Sequence, residues 1–165
     1  MIETYAPTQT AMAQHLLRAP APGPTFSIVV PVHNEMAGLP ELHRRLRAVM
    51  DRTGEPWELV LVDDGSQDQS SGVIAQLCAQ DEHVRGLSLT RNFGFQVAVT
   101  AGLDTGRGKA VILMDADLQD PPEVIPQLME KWWAGYEVVY GVRSERAGEC
   151  GDRHFSGIRK IPVVR

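Results

Sequence analysis

Cysteine is scarce in this chain: Cys78 and Cys150 are the only two in 165 residues. They lie far apart, form no CxxC and adjoin no His/Cys cluster, which argues against a disulfide scaffold and a cysteine-based metal site. Two free thiols in a reducing compartment are expected instead. Nor does any stretch approach the roughly 20 apolar residues of a membrane-spanning helix. The first residues carry no basic region followed by an apolar run, so no secretory signal is expected. The expected location is cytoplasmic, compatible with a peripheral position on the cytoplasmic face of a membrane. Positive charge is not in excess, and a net charge of −5 gives no case for nucleic acid or an anionic membrane surface. No G-x-G-x-x-G follows the first apolar run, which argues against a dinucleotide dehydrogenase. Internal repeats are absent as well.

What is present is an ordinary globular composition, 43% apolar and 22% charged, with enough length for one core. Residues 1–25, with Pro7, Pro20, Pro22 and Pro24, read as a flexible leader containing a short helix over Ala11 to Arg18. From Phe26 the pattern changes. Apolar runs at Phe26–Val32, Trp57–Val62, Val84–Leu89, Ala110–Met114 and Glu137–Tyr140 read as buried strands. Between them lie helical patterns, the clearest being Leu39, Leu42, Leu46, Val49 and Met50. Ser66, Asp68 or Ser70 can cap the helix carrying Val73, Ile74 and Leu77, and Pro121-Pro122 can start one that runs through Trp133. The alternation predicts an α/β fold, a mostly parallel sheet with helices on both faces. One domain over residues 26–149 is expected. Residues 150–165 show breakers and no period, and read as an irregular tail on a sheet that stops early.

Ligands of such sheets bind beyond the carboxyl ends of the strands, and the acidic motifs all fall there. Asp115-Ala116-Asp117 directly follows an apolar run, so both carboxylates can face one pocket. Oxygen-only donors suit Mg²⁺ or Mn²⁺, although the same residues also fit a polar turn with a capping Asp. Asp63-Asp64-Gly65-Ser66 closes another run. Adjacent carboxylates need a cation or hydrogen-bond donors beside them, and they suit a ribose hydroxyl or base N–H as well as a turn. Pro31-Val32-His33-Asn34-Glu35 ends the first run, with Glu35 pointing toward the other carboxylates. Arg91, in Arg91-Asn92-Phe93-Gly94, is expected to pair with Asp63 or to meet phosphate. Arg143 and Arg146 occupy a loop that can hold anionic phosphate or simply be solvated. Trp132 and Trp133 are read as packing residues, one of them facing the core.

Together the segments Phe26–Glu35, Glu58–Ser66, Thr90–Gly94 and Met114–Glu123 resemble family 2 glycosyltransferases. The run Asp115–Glu123 with Tyr140-Gly141-Val142-Arg143 is most similar to the branch that loads sugars onto dolichyl or undecaprenyl phosphate. The resemblance implies a GT-A, Rossmann-like fold and a nucleotide-sugar donor. It implies that Pro31, His33 and Glu35 surround base and ribose, and that Asp64, with Asp63 beside it, contacts the base. Asp115 and Asp117 match a metal-and-diphosphate motif, with Asp115 also on the nucleotide side and Gln119 a further metal-shell position. Asp117, Arg143 and Arg146 would carry the catalytic roles, the arginines meeting phosphate. Cofactor Mg²⁺ or Mn²⁺ is implied, with a polyprenyl-phosphate acceptor at the membrane surface and homo-oligomers among relatives, many of them membrane-anchored. Relatives also continue well past Glu149 with acceptor-side elements, and that continuation is expected to be missing here. Two rival readings keep the donor site: transfer to a polysaccharide or protein acceptor, and a non-catalytic nucleotide-sugar-binding fragment.

Overall fold

The computed structural model describes residues 2–5, 23–141 and 157–160. Phe26–Val32 (β2) and Trp57–Asp63 (β3) are buried at every position, as strands covered on both faces must be. They pair in parallel from Phe26–Trp57 to Val32–Asp63. Val84–Leu89 (β4) extends the ladder from β3, and Ala110–Leu113 (β5) adds in parallel on the other side of β2. Three short strands complete the sheet by antiparallel pairing: Ile2–Tyr5 (β1) on β4, Gly157–Lys160 (β7) on β5, and Val138–Tyr140 (β6) on β7. The spatial order is β1-β4-β3-β2-β5-β7-β6.

The helices are Leu39–Thr53 (α1), Ser70–Gln80 (α2), Phe95–Thr105 (α3) and Ile125–Trp133 (α4), the last preceded by a 3₁₀ turn at Pro122–Val124. α1 starts on a proline in its first turn, buries Leu39, Leu42, Leu46, Val49 and Met50, and stops at Gly54, whose φ is 69°. Each such side chain contributes roughly 1.5–3 kcal/mol on burial. The period-2 alternation of the strands divides the core. Phe26, Ile28, Val30, Leu59 and Leu61 face α1, α2 and α4. Val29, Val60, Val62 and Leu87 face Ala98 of α3. Trp132 packs on the core, edge-on to Phe26 at 5.1 Å, while Trp133 is 56% exposed.

Chain direction across the sheet reverses between β2 and β5. β2, β3 and β4 are laid down outward in one direction, and the chain then crosses over to place β5 on the opposite side of β2. Pro31 widens this junction. The β2–β5 ladder ends at Val29–Leu113, with Met114 N–H donating to the Val29 carbonyl at 3.0 Å. Pro31, two residues on, presents the same edge and has no N–H to continue the pairing. β5 therefore departs while β2 runs on to Val32 beside β3, leaving a crevice.

Gly65, just beyond β3, is fixed by backbone contact. Its φ is +61°, and a Cβ there would stand 2.3 Å from the Arg91 carbonyl carbon and 2.4 Å from the Asn92 nitrogen. Gly65→Ala combines a left-handed backbone with a clash against main chain that cannot swing away. It is expected to cost about 2–4 kcal/mol, read as a lower urea midpoint at unchanged m-value. A cost below about 0.5 kcal/mol would contradict this packing.

Two strands lie where no element was expected. β1 falls in the presumed flexible leader and β7 in the presumed irregular tail. Both are four residues long and antiparallel to a neighbour far away in sequence, so the partner ladder specifies them rather than local periodicity. The expected helix over Ala11 to Arg18 lies outside the described residues. Among the described residues no helix is long and apolar enough to cross a membrane.

Candidate functional site

The crevice between β2 and β5 opens at the carboxyl ends of the strands into a pocket of about 320 Å³. This is where ligands of open parallel sheets bind. Pro31, Val32, His33 and Glu35 line it from the end of β2, and Asp115, Ala116 and Asp117 from the end of β5. Asp64 contributes from the end of β3, and Asn92, Gly94, Phe95 and Ala98 from the start of α3. Six of the residues singled out in the sequence thus share one cavity. Asp63 and Gln119 are not among its lining residues. Arg143 and Arg146 lie outside the described residues.

The loop after β2 is held by the loop after β3. Asn34, at φ 58°, donates its N–H to Ser66 Oγ at 3.0 Å, and its Oδ1 accepts from Gln67 N at 2.8 Å. Glu35 N–H donates to Ser70 Oγ at 2.9 Å, and Met36 N–H to Asp68 Oδ2 at 3.2 Å. The Ser66 and Ser70 hydroxyls, read from sequence as helix caps, are therefore committed to this cross-loop network. Only Asp68 behaves partly as a cap, accepting Ser70 N–H at 2.9 Å. Hydrogen bonding from the Ser70 side chain, and then from its N–H, holds the Asp68 carboxyl below its ordinary range.

His33 is locked in one orientation. Its Nδ1 sits 3.0 Å from the Asp64 carbonyl oxygen, which can only accept, so Nδ1 carries the proton. Nε2 then accepts from Asn34 Nδ2 at 3.1 Å and Asn92 Nδ2 at 3.2 Å. The ring lines the pocket as an oriented surface with both nitrogens committed.

The two buried aspartates at the end of β3 divide their work. Asp64 accepts Phe93 N–H at 2.8 Å and Gly94 N–H at 2.9 Å, tying the entry of α3 to the pocket wall. These donors satisfy its buried carboxylate, and each oxygen keeps a second acceptor position. Asp63 turns inward, accepting Ser66 N–H at 3.0 Å and Ser88 Oγ–H at 3.3 Å. The expected Asp63–Arg91 pairing is replaced by these bonds, and the Arg91 guanidinium lies over the Phe93 ring at 4.1 Å. A cation over an aromatic face is itself favourable, and two neutral donors already satisfy Asp63.

On the opposite wall, Asp117 is exposed and Asp115 half-buried. Asp117 Oδ1 accepts Gln119 N–H at 2.9 Å across Leu118, which is held at φ 60°. That left-handed leucine and the Asx turn aim the loop, and neither is legible from residue type. Among the described residues no group of three or more His, Cys, Asp or Glu can hold a metal ion by itself. Two carboxylates at a pocket wall nonetheless fit Mg²⁺ or Mn²⁺, which commonly take one or two carboxylates and complete their shell with phosphate oxygens and water. Phe95 and Ala98 are pocket residues that sequence reasoning passed over, and Asn92 was named there only as a member of its run. Their only signal was adjacency to Arg91-Asn92-Phe93-Gly94, and the Asp64 clamp is what brings that segment in.

Comparison with known proteins agrees with this geometry. The family model described as glycosyl transferase family 2 matches residues 27–161. An uncharacterized glycosyltransferase of Bacillus subtilis, YkcC, is 50% identical over 124 residues, covering 75% of this chain and 38% of the relative. The undecaprenyl-phosphate 4-deoxy-4-formamido-L-arabinose transferase of Pseudomonas aeruginosa (strain LESB58) is 43% identical over 147 residues, covering 88% of this chain and 43% of the relative. The chain thus spans about two fifths of the length of these relatives. Among solved structures, a mannosyltransferase of Pyrobaculum calidifontis in complex with GDP-Man and Mn²⁺ superposes with TM-score 0.57 at 23% identity, over 81% of this chain and 42% of that one. Glucosyl-3-phosphoglycerate synthase of Mycobacterium tuberculosis in complex with UDP gives 0.58 at 24%, over 75% and 46%. These likenesses establish the fold as GT-A. With the model match spanning both walls of the pocket, from β2 through the Asp115–Asp117 loop to β7, the chain belongs to glycosyl transferase family 2.

Proposed function

We propose that this chain forms the donor half of a metal-dependent, inverting glycosyltransferase that moves a sugar from a UDP- or GDP-sugar to a polyprenyl phosphate. One observation carries the reading: a single pocket joins a base-and-ribose wall (Pro31, His33, Glu35, Asp64) to a two-carboxylate wall (Asp115, Asp117). Hydrogen-bonding groups on one wall and two carboxylates on the other suit a nucleoside diphosphate laid across the crevice. His33 and Pro31 would border the base, Asp64 would accept from a base N–H with its remaining lone pairs, and Glu35 would face the ribose. Asp115 and Asp117 would hold Mg²⁺ or Mn²⁺, with Gln119 beside them. The cation's contribution is neutralisation of the leaving diphosphate.

In the proposed step, an acceptor phosphate oxygen attacks the anomeric carbon from the face opposite the nucleotide. The bond to the diphosphate oxygen breaks, and the nucleoside diphosphate leaves with the electron pair. A phosphate monoester is already ionised near neutral pH, so little general-base help is needed. Positioning and charge stabilisation then supply most of the acceleration. Arg143 and Arg146 enter this scheme as phosphate-facing residues through the family resemblance. The name of the relative from Pseudomonas aeruginosa supports the lipid-phosphate acceptor, and the cytoplasmic face of a membrane is the proposed place of reaction.

Radiolabelled UDP- and GDP-sugars incubated with undecaprenyl phosphate, a polysaccharide or a protein acceptor test the assignment. Label entering the lipid fraction alone is the expected result. Label on polysaccharide or protein would replace the acceptor, and donor binding without turnover would mark a binding fragment.

A further inference from the structure

The run Gln119-Asp120-Pro121-Pro122-Glu123 ends in a carboxylate that does not line the pocket. It binds instead to α1: Arg45 Nε donates to Glu123 Oε1 at 3.1 Å and Arg45 Nη2 to Glu123 Oε2 at 2.5 Å, across 78 residues of sequence. The Arg45 guanidinium holds the Glu123 carboxyl below its ordinary range. At the other end of the loop, Gly38 stands at the start of α1, where a Cβ would lie 3.7 Å from the Ala116 carbonyl oxygen. Gly38 and Arg45 are seven positions apart, roughly 10 Å along a helix axis. α1 thus meets the acidic loop at two points, beside Asp115–Asp117 and again at its exit.

We infer that Arg45 and Glu123 are positioning residues: their bidentate pair latches the Asp115–Asp117 loop to α1 and sets its distance from the nucleotide wall. The inference rests on the donor-site reading for its purpose, but the latch itself can be measured separately. Arg45 and Glu123 are 26% and 52% exposed at the side chain, so the pair contributes little to global stability. What it does contribute is geometry, since a guanidinium fork fits a carboxylate in one plane and one orientation. The β5 ladder fixes the entry of this loop, and buried Pro122 and core-packed Val124 hold its exit; the Arg45–Glu123 fork adds an orientation that apolar packing alone does not supply.

The test uses Arg45→Glu, Glu123→Arg and the double exchange, with Glu123→Gln as a milder variant. Hydrogen exchange over residues 115–121, melting temperature and titration of UDP and GDP with Mn²⁺ are compared. Each single variant is expected to exchange about threefold to fivefold faster in the loop and to bind nucleotide more weakly by a similar factor. Melting should shift by no more than about 2 °C, and the double exchange should restore both loop exchange and binding. Unchanged loop exchange in the single variants, or no restoration in the double, overturns the latch. If the unsubstituted chain binds neither nucleotide, the donor reading fails, and loop exchange alone decides the latch.

Discussion

Asp117→Ala should abolish Mn²⁺-supported nucleotide binding while leaving the fold intact. Asp117 is exposed at the pocket wall, and its carboxylate accepts a bond from the Gln119 N–H. Its removal therefore costs little stability. The same carboxylate is one of two acidic groups on that side of the pocket, so half of the protein's proposed contribution to the cation goes with it. Affinity is expected to fall more than about 100-fold in calorimetric titration, beyond the 10- to 100-fold typical of outer-shell changes. Melting should move by no more than about 2 °C. Full metal-dependent binding by Asp117→Ala would remove Asp117 from the metal site.

The second large effect is on stability and arises at the opposite end of the sheet. Glu58 on β3 is 2% exposed, yet its carboxylate gathers donors from three segments. It accepts Ser27 Oγ–H at 2.7 Å, Arg107 N–H at 2.6 Å, Arg107 Nη2 at 2.7 Å and Arg85 Nη1 at 3.1 Å. Ser27 Oγ in turn accepts Gly108 N–H at 2.7 Å, so the network fixes the turn that leads into β5. Glu58→Ala would strand these donors and is expected to cost about 3–5 kcal/mol. Burial pushes the Glu58 carboxyl up, but Ser27 and the Arg107 amide and guanidinium outweigh it and hold the group below its ordinary range. Since the folded-state value is depressed, the stabilisation is fully present above the unfolded value, near pH 4.3–4.5, and is lost as pH falls through the folded one. Urea midpoints should therefore decline below about pH 4 in the parent, and the variant should lack that share of the decline. Equal stability of variant and parent at pH 7 would contradict the network.

A related acid sensitivity attaches to Asp81. Burial raises its carboxyl, while His43, the His83 amide and ring, and Arg47 lower it to about 2. It joins α1 to the start of β4 through His43 at 2.8 Å and His83 at 2.8 Å. Asp81 and Glu58 together are expected to make the fold acid-labile between about pH 4 and pH 2.

The central strands were legible because an apolar run with charge only at its ends has few alternatives. Phe26–Val32 and Trp57–Asp63 are buried at every residue, as such runs require. The lining of the candidate pocket was legible for a related reason, since His33, Glu35, Asp64, Asp115 and Asp117 all fall within about four residues of a strand's carboxyl end. What escaped was set by partners distant in sequence. β1 and β7 exist through pairing with β4 and β5. Asn92 and Phe95 reach the pocket because Asp64 clamps the Phe93 and Gly94 amides, a role no spacing rule assigns to an aspartate pair. The Arg45–Glu123 pair joins residues 78 apart, beyond any local pattern.

The proposed activity requires one pocket to bind a nucleotide with a cation held by two carboxylates. Calorimetric titration of UDP and GDP into the purified chain, with and without Mn²⁺, tests it most directly. Binding of one nucleotide that requires Mn²⁺ and is lost in Asp117→Ala is the predicted result. No binding by a chain whose circular dichroism shows it folded, or binding indifferent to Mn²⁺, would contradict it.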